Sequence, residues 1–196
     1  MYRDYVKRII DVIISAIALI VLFIPMIVIA IVINIEGKGG ALFKQERLGK
    51  NKKKFIIYKF RTMIPNAFEI GGTDTYEGDS RITKVGAFLR KTSLDELPQF
   101  INILKGEMAI IGPRPILEFE ENEVDYPELY EERFLIRPGL FCTVDLDLRA
   151  MASRKLQFEK DKEYYYNISF LEDLKIFMGV IKTVLTGKNV YKEKTK

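Results

Sequence analysis

Two adjacent acids, Asp95 and Glu96, stand in the run Ser93-Leu94-Asp95-Glu96-Leu97-Pro98-Gln99, and Gly112-Pro113-Arg114-Pro115 follows shortly after. The 196-residue sequence contains no histidine and a single cysteine, Cys142. A Ser-His-Asp triad, a histidine general base and a histidine-ligated zinc site are therefore excluded. One cysteine also excludes an intramolecular disulfide and suits a reducing compartment. Chemistry, if there is any, falls to carboxylates acting as nucleophile, base or metal ligand. Carboxylates among fixed cations suit phosphoryl transfer, in which positive charge neutralises phosphate oxygens while a carboxylate attacks or holds a metal. Lys59, Arg61, Arg81, Arg90 and Arg114 are the candidate cations. Arg114 lies between two prolines, whose fixed φ lowers the entropy cost of presenting a guanidinium bidentately to a phosphate. Magnesium is the expected ion, because it takes oxygen ligands and binds through one or two carboxylates plus substrate phosphate. These properties leave open which of Asp95 and Glu96 is the nucleophile.

The elements that must position these residues can be read from pattern. Ser93 to Glu96 fits a capping box, but that frame puts Pro98 at the fifth helical position, where an N–H is needed. With Asp95 as the cap, Pro98 falls at the third position, where the N–H is free in any helix. A helix is therefore expected to begin near Asp95, with both carboxylates at the positive end of its dipole and an anion drawn to the same place. Leu97, Phe100, Ile101 and Leu104 give it a core face. Val85 to Lys91 is also helical in pattern. Phe55 to Met63 reads as a strand with Lys59 and Arg61 on one face. Ile70 to Ser80 is a glycine-rich polar loop with the composition of a lid. Met108 to Ile111 is a short strand running into the Gly-Pro-Arg-Pro loop, the acid-rich stretch Glu118 to Glu132 reads as a solvated face, and Pro138-Gly139 is a turn. Helical patterns cover Ser153 to Tyr166 and Phe170 to Leu185. In the second, Leu171, Leu174, Phe177, Met178, Ile181 and Leu185 lie opposite Asp173, Lys175 and Lys182, a stripe for packing or for a membrane surface. There is no G-x-G-x-x-G and no P-loop.

Val12 to Ile33 is apolar except for Ser15 and Pro25 and is long enough to cross a bilayer. It is too long for a signal peptide and lacks a small-x-small cleavage pattern. Arg3, Lys7 and Arg8 precede it, while Lys38, Lys44, Arg47 and the cluster Lys50, Lys52, Lys53 and Lys54 follow it. Basic residues favour the cytoplasmic side, so both ends favour the same side. Pro25 removes a helical hydrogen bond near the middle. The reading preferred over a kinked spanning helix is a re-entrant helix–break–helix over residues 1–36, joined to a cytoplasmic domain over 37–196. The fold class is mixed α/β, mainly helical, with interfacial amphipathic helices. The net charge of +4 is concentrated in the lysine cluster. Beside a membrane it reads as attraction to anionic lipid, about 1 kcal/mol per basic residue. Nucleic acid is not an expected partner, since no base-stacking motif or zinc knuckle accompanies the charge.

Read together, these stretches resemble the bacterial sugar transferases, the monotopic phosphoglycosyl transferases that start glycan assembly on a polyprenol phosphate carrier. The resemblance covers nearly the whole chain: the Pro25-containing segment, Phe43-Lys44-Gln45-Glu46-Arg47-Leu48-Gly49, Tyr58 to Met63, Asp79 to Gly86, Leu89 to Gln99, and Asn102, Leu104, Gly106, Met108 and Gly112 to Pro115. Arg137-Pro138-Gly139 and Asn167-Ile168-Ser169-Phe170 extend it through the C-terminal half. It implies that Asp95 is the nucleophile on the β-phosphate of a UDP-sugar, that Glu96 is associated with Mg²⁺, and that UMP leaves. Polyprenol phosphate then takes the phosphosugar from Asp95, at the cytoplasmic face of a bacterial inner membrane. It also implies the re-entrant segment and leaves homo-oligomerisation open. The run Leu140 to Leu146 departs from the family pattern, which commonly has a T-G-W-A-Q-V-like sequence there and bears on donor recognition. Arg149 falls where a family arginine does and is a candidate nucleotide contact. The competing reading is a catalytically inactive membrane-anchored adaptor in which the acid pair only caps a helix.

Overall fold

The computed structural model describes residues 1–72, 75–146, 148, 151–186 and 190. After one wide turn at Tyr2–Val6 the apolar run forms α1 (Lys7–Glu36). A hairpin follows: β1 (Leu42–Leu48) pairs antiparallel with β2 (Lys54–Phe60), Leu42 opposite Phe60 and Leu48 opposite Lys54. Next come α2 (Ala67–Gly71) and α3 (Lys84–Thr92), the latter capped by Thr83 Oγ1, which accepts from the Gly86 N–H at 3.0 Å. A 3₁₀ turn at Leu94–Glu96 leads into α4 (Gln99–Lys105), and β3 (Ala109–Ile111) pairs in parallel with β4 (Gly139–Phe141). Two further 3₁₀ segments, Glu118–Glu123 and Pro127–Phe134, fill the crossover between these strands, and a third spans Thr143–Leu146. The chain closes with α5 (Arg154–Asn167) and α6 (Phe170–Thr186). The mixed, mainly helical class follows from this order.

The main core gathers Phe55 and Ile57 of β2, Ile103 of α4, Ile110 and Ile111 of β3, Leu140 of β4, Tyr164 of α5, and Ile176 and Val180 of α6. Asn102 on α4 is fully buried among them, and its amide ties α4 to β2. Its Oδ1 accepts from the Tyr58 N–H at 3.1 Å, while its Nδ2 donates to the Ile56 carbonyl and to Glu107 Oε2, each at 2.7 Å. Asn102→Leu leaves a buried N–H and C=O of β2 unpaired. It should destabilise the protein by about 2–4 kcal/mol, read from denaturant unfolding of the purified chain.

The apolar segment departs from expectation at Pro25. No break occurs there: α1 is one helix through the proline, since a single lost hydrogen bond is tolerated inside a long apolar helix. Asp11, Ser15 and Ile33 are buried along one stripe, and Met26, Ile29 and Ala30 pack with Ile33 against Phe60 and Leu89. Other apolar residues of α1, including Ile20, Val21 and Ile24, are exposed. Both ends are fastened to the same body. At the first end, Asp11 Oδ1 accepts from the Ile110 N–H at 3.1 Å, and Arg8 donates to the Ile103 and Leu104 carbonyls at 2.7 and 3.1 Å. At the far end, Glu36 Oε1 accepts from the Val85 N–H at 3.0 Å, and Arg61 donates to carbonyls of Ile33, Gly37 and Lys38.

Two further expectations change. The acid-rich stretch is not simply solvated: Glu120 is buried, accepting from Arg47 at 3.3 Å, Arg154 at 2.5 Å and the Leu117 N–H at 2.7 Å. On α6 the packed face carries Ile176, Val180 and Asp173, whereas Leu171, Leu174, Met178 and Leu185 are exposed. Asp173 was expected on the polar side. It is instead the buried acceptor for Tyr2 Oη, Lys7 Nζ and Tyr164 Oη at 2.7, 2.6 and 2.6 Å. The polar partners that permit its burial come from two distant segments, which periodicity within α6 does not encode.

Candidate active site

Asp95 and Glu96 occupy the 3₁₀ turn between α3 and α4. Ser93 ends α3 with φ +57 and its side chain does not cap the turn, so the capping-box geometry is absent. The backbone stays right-handed helical through Leu97 and Pro98, and α4 proper starts at Gln99, beyond the expected start near Asp95. The tight turn puts both carboxylates on the wall of a cleft of about 510 Å³, whose lining also includes Arg47, Lys59, Arg90 and Arg114. Phe43, Phe60, Phe68, Phe141 and Val184 add apolar surface to the lining.

Glu96 Oε1 accepts from Lys59 Nζ at 2.7 Å, joining the acid pair to β2. Arg90 reaches the cleft from α3, its Nε donating to Thr62 Oγ1 at 2.9 Å. Gly86 allows this approach, because a Cβ there would collide with the Thr62 backbone. Asp95 is partly buried. Burial, and then the neighbouring Glu96 carboxylate, push its carboxyl up to about 6 against the opposing pull of Lys59 and Arg90. Asp95 is therefore ionised at neutral pH yet poorly solvated, a condition that favours nucleophilic attack over inert solvation.

Arg114 is held more thoroughly than two prolines alone would hold it. Its Nη1 donates to Asp145 Oδ1 at 3.3 Å. Its carbonyl accepts from Arg133 Nη2 at 2.8 Å, and its N–H is bonded to Asp161. Arg133 and Asp161 are themselves a buried ion pair at 3.0 Å, with the Arg133 guanidinium 4.0 Å above the Phe158 ring. The loop is anchored at its base where the Gly112 and Gly139 backbones meet, since a Cβ on Gly112 would lie 2.5 Å from the Arg137 carbonyl. The departing run Leu140 to Leu146 thus supplies a cleft residue, Asp145, whose Oδ2 also accepts from the Cys142 N–H at 3.0 Å.

The remaining sequence candidates divide. Arg61 lines the cleft, but its guanidinium donates to the carbonyls of Ile33, Gly37 and Lys38 at the C-terminal end of α1, the negative end of the helix dipole. Arg81 lies outside the cleft: it is buried against Asp79, with Nη2 to Oδ2 at 2.7 Å, and donates to the Ala67 and Gly72 carbonyls at 2.9 and 3.1 Å. Arg149 lies outside the described residues. Arg47, Asp145, Arg133 and Asp161 were not singled out as site residues from sequence. Arg47 carried a signal in the F-x-Q-x-R-x-G motif, and its buried Nε has no hydrogen-bond partner among the described residues. Nothing local marks the other three. Among the described residues no group of three acids forms a ready-made metal cage. Asp95 and Glu96, with Asp145 in the same cleft, are hard oxygen donors of the kind that hold magnesium jointly with a substrate phosphate, so the residues fit that ion.

The family model for bacterial sugar transferases matches residues 2–187. The chain belongs to the bacterial sugar transferase family. It is 38% identical over 191 residues to the UDP-N-acetylgalactosamine-undecaprenyl-phosphate N-acetylgalactosaminephosphotransferase of Aeromonas hydrophila, covering 93% of this chain but only 44% of that protein. It is 36% identical to the exopolysaccharide production protein PSS of Rhizobium leguminosarum bv. phaseoli, covering 92% of this chain and 95% of the relative. Against the UDP-glucose:undecaprenyl-phosphate glucose-1-phosphate transferase of Caulobacter vibrioides it is 34% identical, over 96% of this chain and 73% of the relative. In this bacterial sugar transferase the acid pair, Lys59, Arg90 and Arg114 come together in one cleft, and Arg61 and Arg81 brace its surroundings.

Proposed function

We propose that this chain transfers a sugar 1-phosphate from a UDP-sugar to polyprenol phosphate, releasing UMP, at the start of glycan assembly. The observation that carries the reading is the Asp95 carboxylate, kept ionised but poorly solvated in a cleft with Lys59, Arg90 and Arg114. Relatives named for transfer of sugar phosphates from UDP-sugars to undecaprenyl phosphate support the substrate pair. An oxygen of Asp95 attacks the β-phosphorus, the bond from that phosphorus to the bridging oxygen breaks, and UMP leaves with the electron pair. A phosphate oxygen of the polyprenol carrier then attacks the same phosphorus and the Asp95 carboxylate leaves. No atom is oxidised or reduced. Arg114 and Arg90 balance the equatorial charge, while Lys59 orients Glu96. Asp95 and Glu96 would hold Mg²⁺ together with the donor diphosphate, and the ion would supply further neutralisation of the leaving nucleotide.

The membrane reading has its own support. α1 is long and apolar enough to enter a bilayer, and both its ends return to one body. The fastening of both ends to one body supports a reading in which the two ends share one side of the membrane, and the flanking basic residues favour the cytoplasmic side. Phe88 of α3, Ile101 and Leu104 of α4, and Leu171, Leu174 and Met178 of α6 are exposed apolar residues on neighbouring elements, suited to lie on the lipid surface. The apolar lining of the cleft suits an acceptor that carries a hydrocarbon chain. The test is purified protein in detergent with Mg²⁺, polyprenol phosphate and a panel of UDP-sugars. UMP release that depends on the acceptor, with a sugar-phosphate adduct on Asp95 by intact mass, is expected. Full product formation without that adduct would overturn the covalent route.

A further inference from the structure

A second cavity, of about 360 Å³, shares no lining residue with the active cleft. Five cations line it, Arg3, Lys7, Arg8, Lys50 and Arg137, against the two acids Asp4 and Asp11. Part of this charge is already matched: Lys7 bonds Asp173 at 2.6 Å and Arg3 approaches Asp4 at 3.5 Å. Arg8 and Arg137 are different. Among the described residues they bond only carbonyls at the C-terminal end of α4, Arg137 Nε donating to Gly106 at 2.7 Å and Arg8 to Ile103 and Leu104. Helix-end carbonyls offset only part of a full charge. Capping α4 is a sufficient use for Arg8. It occupies one nitrogen of Arg137 and leaves its two η nitrogens without a hydrogen bond to a described residue. The two guanidinia are also close enough to oppose each other, since burial and then the Arg137 charge hold Arg8 below its ordinary value. Asp11 also acts on Arg8, but it accepts from the Ile110 N–H, and five cations against two acids leave the cavity with an excess of positive charge suited to an anion.

The position of the cavity names the source of that anion. Arg8 precedes Val12, the first residue of the apolar run, by one helical turn, or about 6 Å along the axis. If α1 enters the bilayer as argued above, this turn lies at the depth of the lipid head groups, where basic residues meet anionic phospholipid. We propose that the cavity binds the phosphate-bearing head group of an anionic glycerolipid, at a site separate from the donor and acceptor cleft. The proposal rests on the membrane placement of α1 but not on the chemistry assigned to Asp95.

The full chain, reconstituted in nanodiscs of phosphatidylcholine with a minority of phosphatidylglycerol, is released in mild detergent and its retained lipid counted by native mass spectrometry. Wild type should retain phosphatidylglycerol preferentially. Arg137→Gln and Lys50→Gln should each reduce that retention about fivefold, and the double variant about twenty-fivefold. The Lys50 side chain is exposed and makes no hydrogen bond or ion pair to a described residue, and its carbonyl, which accepts from the Lys53 N–H at 3.2 Å, is kept in the variant, so the substitution leaves the fold intact. Arg137→Lys should restore most of the retention, and Lys91→Gln, an exposed change outside the cavity, should not reduce it. Equal loss with Lys91→Gln would mean diffuse attraction and overturn the proposal, as would unchanged retention in the double variant. Displacement of the lipid by millimolar inorganic phosphate would reassign the cavity to a free phosphate and overturn the lipid assignment. Flotation of wild type with pure phosphatidylcholine vesicles separates the two levels. Its absence removes the membrane placement itself, whereas flotation without phosphatidylglycerol preference removes only the head-group site.

Discussion

Asp95→Asn should lower UMP release from a UDP-sugar by roughly four orders of magnitude or more, the scale of losing a covalent nucleophile. The amide occupies the same space but offers no anionic oxygen to phosphorus. Lys59, Glu96, Arg90 and Arg114 remain in place, so donor binding should change far less than turnover. The same substitution should stabilise the protein. In the folded chain burial and the Glu96 charge raise the Asp95 carboxyl to about 6. Protonated Asp95 is thus favoured by folding below the usual carboxylate range, and that contribution is lost as pH rises through 6, where the charge must be buried. In metal-free buffer at pH 8, Asp95→Asn should be more stable than wild type by about 1–2 kcal/mol, a gap that closes towards pH 4. Thermal unfolding at the two pH values measures it. A variant with near-normal turnover would eliminate Asp95 as nucleophile, and an equal gap at both pH values would assign the stability change to something other than charge.

Arg114→Lys should reduce kcat/KM by about 10²-fold although the formal charge is kept. The lost property is geometric. A guanidinium offers parallel N–H groups to two phosphate oxygens, or to one phosphate and Asp145, whereas an ammonium is a point donor. The surrounding structure enforces that geometry: flanking prolines, Arg133 on the carbonyl and Asp161 on the N–H leave the backbone almost no freedom. Stability should change little, since those backbone contacts survive the substitution. Donor titrations with initial-rate measurement decide the matter, and a rate within twofold of wild type would remove Arg114 from phosphate recognition.

How much of this was legible in the sequence depended on range. Helices were read nearly to the residue, with α3, α5 and the extent of α6 emerging where periodicity places them, whereas β2 ends at Phe60, short of Met63, so Arg61 lies beyond the strand. Pro98 argued for a start near Asp95, whereas the helical turn begins right after Ser93, without a side-chain cap, and spacing alone could not reveal that this 3₁₀ turn would carry the acids and delay α4. Which face of α6 points inward was misread because Asp173 is buried by partners from the first turns of the chain and from α5. Arg61 and Arg81 have the same composition signal as Arg90 and Arg114. What distinguishes them is the carbonyls and the Asp79 carboxylate that happen to surround them in space. The Arg133–Asp161 clamp joins residues 28 positions apart with no local motif, so no reading of one sequence could pair them.

The fastening of α1 also decides what can be cut away. Deleting it to obtain a water-soluble catalytic fragment would strip cover from Phe60 and Leu89, orphan the Ile110 N–H, and take the Ile33 carbonyl from Arg61 and the Lys7 ammonium from buried Asp173. The apolar helix is therefore a keystone of the fold, and a fragment without it is expected to lose the body on which the cleft is built.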